Sequence, residues 1–171
     1  MTTPYIPSIV IDSVIDALGT FLQPFAAGAQ IIQGQGNRTP MPAAPCIVLT
    51  PLLQVDLETP IGNYDGVNFQ VDIIGPARID IQIDFYGPSA GDQCKAVKGV
   101  YRSSYSTSQF PDGIKPLYCS DGLQAPFITA EQQYESHWIL TASLQYNPVV
   151  AVPLQSADTL AVHEIIVADY S

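Results

Sequence analysis

The amino-acid sequence predicts an α+β fold, in which a mostly antiparallel, twisted sheet packs against two main helices in one domain. Three observations predict it. The 171 residues suffice for one domain with a sizeable core. Two segments repeat apolar residues at helical spacing, whereas several others alternate apolar and polar residues as half-buried strands do. The chain is also 47% hydrophobic and only 13% charged, which excludes a disordered acidic tail.

The first helix is expected over about residues 8–23, with Ser8 as its N-cap. Asp12 in the first turn complements the helix dipole, and Pro24 ends the helix. Its apolar residues recur three and four positions apart and form one face: Ile11, Val14, Ile15, Leu18, Phe21 and Leu22. An amphipathic membrane anchor would need a basic polar face. This polar face is acidic, so the pattern favours a helix that packs on the core.

A short strand from Gln30 leads into the glycine-rich sequence 34–38, GQGNR. Its first three residues resemble the start of a dinucleotide-binding motif, which needs a third glycine and a following helix. Thr39 stands at the third position and prolines follow it, so nucleotide binding is rejected. Residues 40–45 should be extended and polyproline-like, either as a stiff connector or as a ligand for an aromatic groove.

The middle of the chain predicts strands. Residues 46–57 form one, in which Pro51 requires an edge position, a bulge or a break. Turn-forming residues fill 58–66, and strands follow at 67–74 and 77–86. The last strand alternates most clearly, so that one face meets the core and the other meets solvent or a partner. Its apolar face is Ile79, Ile81, Ile83 and Phe85, and its polar face is Arg78, Asp80, Gln82 and Asp84.

A second helix is expected over about residues 89–105, with Ser89 as N-cap and Asp92 close to a capping-box position. Lys95, Lys98 and Arg102 lie at helical spacing on one side and form the main basic cluster of the sequence. This cluster is either a solvated helix face or a patch that pairs with the acidic surface of a neighbouring subunit.

The rest of the chain predicts a long loop and further strands. Residues 110–127 contain three prolines and two glycines, which favours a loop long enough to be functional. Residues 131–146 alternate over a long strand, and 149–152 and 160–168 are shorter strand candidates.

Charge and residue spacing exclude several functions. A net charge of -10, with six scattered basic residues, argues against gripping nucleic-acid phosphates. The three cysteines indicate neither a disulfide framework nor a zinc site. His137 and His163 belong to no metal-spacing motif, and Asp80 and Asp84 would lie about 13 Å apart along a strand. We therefore expect no enzymatic activity, cofactor or metal.

The same sequence predicts a protein made in the cytoplasm. Its first residues, MTTPYIPSIVID, lack the basic region of a signal peptide. Its uncharged stretches are interrupted by proline and polar residues, so no membrane span or membrane partner is expected.

Three local sequences occur in this order along the chain: GQGNR (34–38), DFYGP (84–88) and LQYNP (144–148). With VIDALGTFLQPF and QFPDGIKPLYCSD, this chain resembles the neck or tail terminator proteins of tailed bacteriophages over nearly its whole length. The residues that carry the resemblance are Gly34, Gln35, Gly36, Asn37, Arg38, Asp84, Phe85, Tyr86, Gly87, Gln145, Tyr146 and Asn147.

The resemblance implies a virion structural protein at the neck, with a terminator-like α+β fold. It implies a ring, expected to be hexameric, that caps the tail tube and joins it to the head connector or stopper, with DNA passing through the lumen. A sheath is a further possible neighbour. Two alternatives remain: a tail completion or tube-related ring protein of the same fold, and, from another class, a small soluble enzyme or ligand-binding domain.

A ring needs two different contact surfaces on each subunit. Lys95, Lys98 and Arg102 are the candidate for one surface, and Asp80 and Asp84 for the other. Alternatively, the two acids line the lumen and repel DNA phosphates.

Overall fold

A computed structural model of the protein describes residues 5–34, 42–125, 127–128 and 134–154. Three helices and eleven strands occur in these residues, and a short 3₁₀ helix, Gln23–Phe25, follows the first helix. The helices are α1 Ile11–Leu22, α2 Ala90–Tyr101 and α3 Ser104–Gln109. The strands are β1 Gln30–Gln33, β2 Cys46–Asp56, β3 Ile61–Asp65, β4 Gln70–Ile74, β5 Ala77–Tyr86, β6 Ile114–Cys119, β7 Leu123–Gln124, β8 Phe127–Ile128, β9 Tyr134–Glu135, β10 His137–Tyr146 and β11 Val149–Pro153.

The main sheet has the strand order β1-β2-β5-β10-β6, and β7 also pairs with β10. Only the β1–β2 pair among these is parallel. Strands β5 and β10 pair over their full lengths, with His137 opposite Tyr86 and Tyr146 opposite Ala77. This confirms the predicted α+β class with a mostly antiparallel sheet.

Both longer helices pack on one face of the main sheet. The apolar face of α1 is buried there through Val14, Ile15, Leu18, Phe21 and Leu22, whereas Ile11, predicted on the same face, is exposed. The apolar face of β5, from Ile79 to Phe85, belongs to the same hydrophobic core. Gln93 on α2 donates a hydrogen bond to the carbonyl oxygen of Ala26 at 2.8 Å, which joins the two helical segments. Burial of these side chains is the main favourable contribution to folding.

Pro51 lies in a bulge. The register of β2 against β5 shifts between Pro51 and Leu53, because proline cannot donate to the ladder and an inserted residue absorbs the mismatch. A bulge was one of the three outcomes predicted for this position.

A second sheet has three strands in the order β11-β4-β3. It adjoins the end of the main sheet at which β2 and β10 finish and β5 starts. We call these strands, with residues 56–60 that lead into them, the arm. A turn at residues 66–69 joins β3 to β4, and Asp65 Oδ1 accepts a hydrogen bond from the Val67 amide at 2.9 Å. The arm corrects the expectation that residues 58–66 are only a turn and that a strand starts at residue 67.

The first helix begins later than predicted. Its N-cap is Val10 rather than Ser8. The Ser8 amide donates to the Val149 carbonyl at 2.9 Å, and the Ser8 hydroxyl accepts from the Val149 amide at 3.0 Å. Ser8 is therefore fixed by pairing with the start of β11, which removes it from the helix.

The second predicted helix is two helices. Helix α2 ends at Tyr101, and α3 starts after Ser103, whose side-chain oxygen accepts from the Ser106 amide. Such a cap is typical of the start of a separate helix. Ser89 is the N-cap of α2 as predicted, although its side chain makes no capping hydrogen bond.

The predicted loop at residues 110–127 contains β6 and β7, so that interpretation was wrong. Strand β6 forms despite Pro116 because it lies at the edge of the main sheet. The long strand predicted for 131–146 is described as β9 and β10, with residues 131–133 outside the described residues. The strand predicted for 160–168 also lies outside them.

Candidate subunit interfaces

The basic cluster lies on the outer side of α2. Lys95 and Arg102 are exposed, and Lys98 is half-buried. Lys98 Nζ forms an ion pair with Asp121, a carboxylate whose side chain is 93% exposed. The pairing lowers the pKa of Asp121 and raises that of Lys98. Such an exposed pair contributes little to stability. Within the described residues, Lys95 and Arg102 form no ion pair, so their charges are open to a partner.

A small cleft of about 400 Å³ lies beside this cluster, between α2 and the segment that precedes β7. Cys94 is one of its lining residues, and burial raises the pKa of this thiol. A thiol with a raised pKa carries little thiolate and reacts slowly. Asp121 already occupies the position next to Lys98, and we assign no ligand to this cleft.

The two acids proposed as the opposite half of an interface are both satisfied inside the subunit. Asp84 is only 6% exposed, although it lies on the sheet face opposite the helices. His137 Nε2 lies 2.8 Å from Asp84 Oδ1, and Gln82 Nε2 donates to both carboxylate oxygens at 3.0 and 2.9 Å. The expectation that Asp84 presents a free carboxylate is wrong, because register places His137 next to it from the neighbouring strand.

Asp80 is similarly engaged. Arg78 Nε lies 3.3 Å from Asp80 Oδ1, and the Ser143 hydroxyl donates to the same oxygen at 2.6 Å. The polar face of β5 is thus a network of paired side chains rather than a strip of free acid. Neither Asp80 nor Asp84 is brought near Lys95 or Arg102 by a contact within the subunit.

Tyr86 covers one end of this network. Its ring stacks on the His137 imidazole with a centroid distance of 4.2 Å and an interplanar angle of 6°. Burial, followed by the nearby Asp84 carboxylate, raises the pKa of Tyr86 to about 12. The stacked pair shields the hydrogen bond between His137 and Asp84 from water, which strengthens it.

The residues that carry the resemblance have structural roles where they are described. A Cβ on Gly34 would lie 2.4 Å from Thr50 Oγ1, so β1 approaches β2 too closely for a side chain. Gly87 has a φ of +113° and packs against Pro45. Phe85 and Tyr146 belong to the core.

The last motif is held by hydrogen bonds. The backbone amide of Asn147 donates to the Gly113 carbonyl at 2.9 Å, and the Gln145 side chain donates to the side-chain oxygen of Asn147 at 3.2 Å. Gln35, Gly36, Asn37 and Arg38 lie outside the described residues.

The arm was missed as a surface by sequence reasoning. Its strands alternate, so that one face carries uncharged side chains and the other carries Asp65 and Asp72. The uncharged face consists of Gly62, Tyr64, Val71, Ile73, Val150 and Val152. It continues into an apolar groove of about 560 Å³ between the arm and the segment that enters α1, whose lining includes Ile9, Val10, Ile73, Tyr146 and Val150. The alternation of residues 70–74 is the sequence signal that could have revealed it.

The family model for phage neck terminator proteins matches residues 12–169. The chain belongs to this family. The match spans most of the chain and confirms the resemblance seen in the sequence. A search of curated proteins finds no match.

Membership gives the neck terminator a structural role among the head and tail proteins of a phage virion. Among the described residues, no group of three His, Cys, Asp or Glu side chains could hold a metal ion. In the same part of the chain, no helix is both long and apolar enough to cross a membrane.

Proposed function

We propose that this neck terminator assembles into a closed ring, expected to be a hexamer, that caps the tail tube and joins it to the head connector or stopper. DNA crosses the lumen without specific binding. The protein is made in the host cytoplasm, acts as a structural part of the virion rather than as an enzyme, and uses no cofactor. A sheath protein is an additional neighbour if the tail is contractile.

The family match over residues 12–169 carries the placement at the neck. The ring is supported by the surface of the subunit. Lys95 and Arg102 on α2 have no ion-pair partner among the described residues, and an apolar groove lies beside the arm on a different surface. Two different open surfaces on one subunit favour head-to-tail contacts, which form a ring when the rotation between successive subunits closes.

The basic cluster Lys95, Lys98 and Arg102 remains our candidate for one half of the contact between subunits. Asp80 and Asp84 are poor candidates for the other half, because breaking their internal hydrogen bonds would offset the gain. The same two acids are also poor candidates for a lumen surface that repels DNA phosphates, since Arg78 balances the charge of Asp80. If the sheet face lines the lumen, it presents a polar and nearly neutral surface there.

The alternative within the same fold is a tail completion or tube-related ring protein at another position in the tail. Both proposals share the ring and differ in its neighbours. Deleting the gene from the phage separates them by electron microscopy. Loss of a terminator should leave filled heads and separate tails, many of abnormal length, and a plasmid copy should restore joined particles. Joined particles of normal length after deletion would contradict the proposed function, whereas complete absence of tails would favour a tube-related protein.

A further inference from the structure

The arm and the segments that adjoin it carry many of the exposed apolar side chains of the described residues. Exposed large apolar side chains cluster along the end of β2, the β3–β4 hairpin and the end of β11. They are Leu52, Leu53, Val55, Leu57, Ile61, Tyr64, Val67, Phe69, Ile73 and Leu154. Val67 at the hairpin turn is 86% exposed. By strand alternation Tyr64 and Ile73 lie on one face of the arm and Ile61 on the other. A concentration of exposed apolar side chains in one element is typical of an interaction site.

The arm is also acidic without any compensating base. Residues 56–76 contain Asp56, Glu58, Asp65 and Asp72, and no Lys or Arg. The described ion pairs of the subunit involve none of these four carboxylates. The arm therefore has both an apolar surface and an uncompensated negative charge.

The opposite combination occurs around α2. Lys95, Lys98 and Arg102 supply positive charge, and the adjacent helix α3 adds the exposed aromatic ring of Tyr105. We call this surface the basic flank. Aromatic residues together with arginine are the composition enriched in the centres of protein interfaces.

We propose that the arm of one protomer docks on the basic flank of a second copy of this chain. The two surfaces are complementary in charge, and both expose aromatic side chains to water, Tyr64 and Phe69 on the arm and Tyr105 on the flank. Because they are different surfaces, the contact is head-to-tail and repeats around a ring. This inference rests on the proposed ring and names the surfaces that build it.

Charge reversal tests the pairing directly. The flank variant carries Lys95→Glu and Arg102→Glu, and the arm variant carries Asp56→Lys and Glu58→Lys. All four side chains are exposed, so the folds should survive, and thermal melting of the purified variants checks this. Asp16→Lys, a reversal at an exposed acid on α1 outside both surfaces, is the control. Each protein is supplied from a plasmid to phage that lack the gene, and infectious titre and joined particles are counted.

Each variant alone brings like charges together at every contact, which costs several kcal/mol and should lower the titre about 100-fold or more. The control should stay within about tenfold of wild type, since a charge outside the interface changes association little. A chain with all four reversals pairs a basic arm with an acidic flank, so it should recover most of the titre. Co-expression of the arm and flank variants should recover it too, because in an alternating ring every arm meets a flank of opposite charge.

Normal titre with either variant alone would overturn the inference, and so would the failure of both the fourfold variant and co-expression to rescue. The proposed function would stand in either case, provided that the deletion still yields unjoined heads and tails. If Lys95→Glu with Arg102→Glu melts at a much lower temperature than wild type, Lys95→Glu alone and Glu58→Lys alone provide a second pair for the same test. An unchanged titre after deletion of the gene would instead contradict the proposed function itself.

Discussion

His137 on β10 and Asp84 on β5 form a buried hydrogen-bonded pair, with 2.8 Å between His137 Nε2 and Asp84 Oδ1. The two residues are 53 positions apart in sequence and sit on adjacent strands at the same end of the sheet. A polar pair that is buried and satisfied fixes the register of the strands that carry it. The geometry of any surface built on these strands depends on this register, since a slip of one residue would move every side chain of a strand to the other face.

Asp84→Ala should destabilise the subunit. It leaves His137 and Gln82 without their acceptor in a buried position, which costs about 1–3 kcal/mol in free energy of unfolding. Chemical denaturation monitored by circular dichroism measures this. Asp112→Ala, at an exposed carboxylate, is the control and should change the value by less than about 0.5 kcal/mol. Equal stability of the two variants would contradict the role assigned to the pair.

Gly34→Ala should also destabilise the protein, because the new Cβ would lie 2.4 Å from Thr50 Oγ1 and 3.1 Å from Val48 Cγ1. Displacing these side chains costs about 1–3 kcal/mol. Gly99→Ala is the matched control: nothing lies within 4 Å of its Cβ, and α2 should gain about 0.5–1 kcal/mol from the better helix former. Thermal melting therefore should move in opposite directions for the two variants, and a shift in the same direction would be inconsistent with this geometry.

Alkaline pH should destabilise the fold through Tyr101. This side chain is fully buried and donates a hydrogen bond to the Ser143 carbonyl at 3.2 Å. Burial raises the pKa of Tyr101, so the folded state holds this proton more tightly than the unfolded chain. The resulting stability is fully present below about pH 10, the unfolded pKa, and is lost as pH rises toward the folded value.

Tyr101→Phe removes this titration. At pH 8 the variant should be less stable than wild type by about 1 kcal/mol, because one hydrogen bond is lost. Between pH 10 and 11 the stability of the variant should fall less steeply than that of wild type. Melting temperatures of both proteins, measured against pH, give the two slopes. Tyr105→Phe removes an exposed hydroxyl from α3 and should keep the wild-type slope. Identical slopes for Tyr101→Phe and wild type would show that another group governs alkaline unfolding.

Lys98→Met should leave the subunit almost as stable as wild type. The ion pair between Lys98 and Asp121 is exposed, and such pairs contribute little to stability. A free energy of unfolding close to that of wild type, measured by denaturant titration, is the expected result. A larger loss would mean that Lys98 supports the fold, in which case its place in the basic cluster would not be evidence for an interface.

The sequence predicted the parts of the fold that depend on local periodicity. In α1 the apolar residues recur three and four positions apart, which fits a helix. In β5 they recur at every second position, which fits a strand. Pro51 indicated the bulge in β2, because proline has no backbone N–H to donate to the neighbouring strand.

Elements that depend on distant partners were missed. Residues 61–65, IGNYD, have little intrinsic preference for a strand and become one by pairing with β4. Strand β6 contains Pro116 and forms only as a neighbour of β10. The sequence correctly predicted that the acidic residues of β5 share one face. It wrongly predicted that their carboxylates are unpaired, because Ser143 and His137 reach them only through the register of β5 with β10.

The most direct test of the central claim is cryo-electron microscopy of the neck in intact virions. We expect one ring of this protein, with six copies, between the last ring of tail tube and the connector, and each arm should contact α2 of the next copy. Density for a single copy, for an open chain of subunits, or for a ring at another position in the particle would contradict the account.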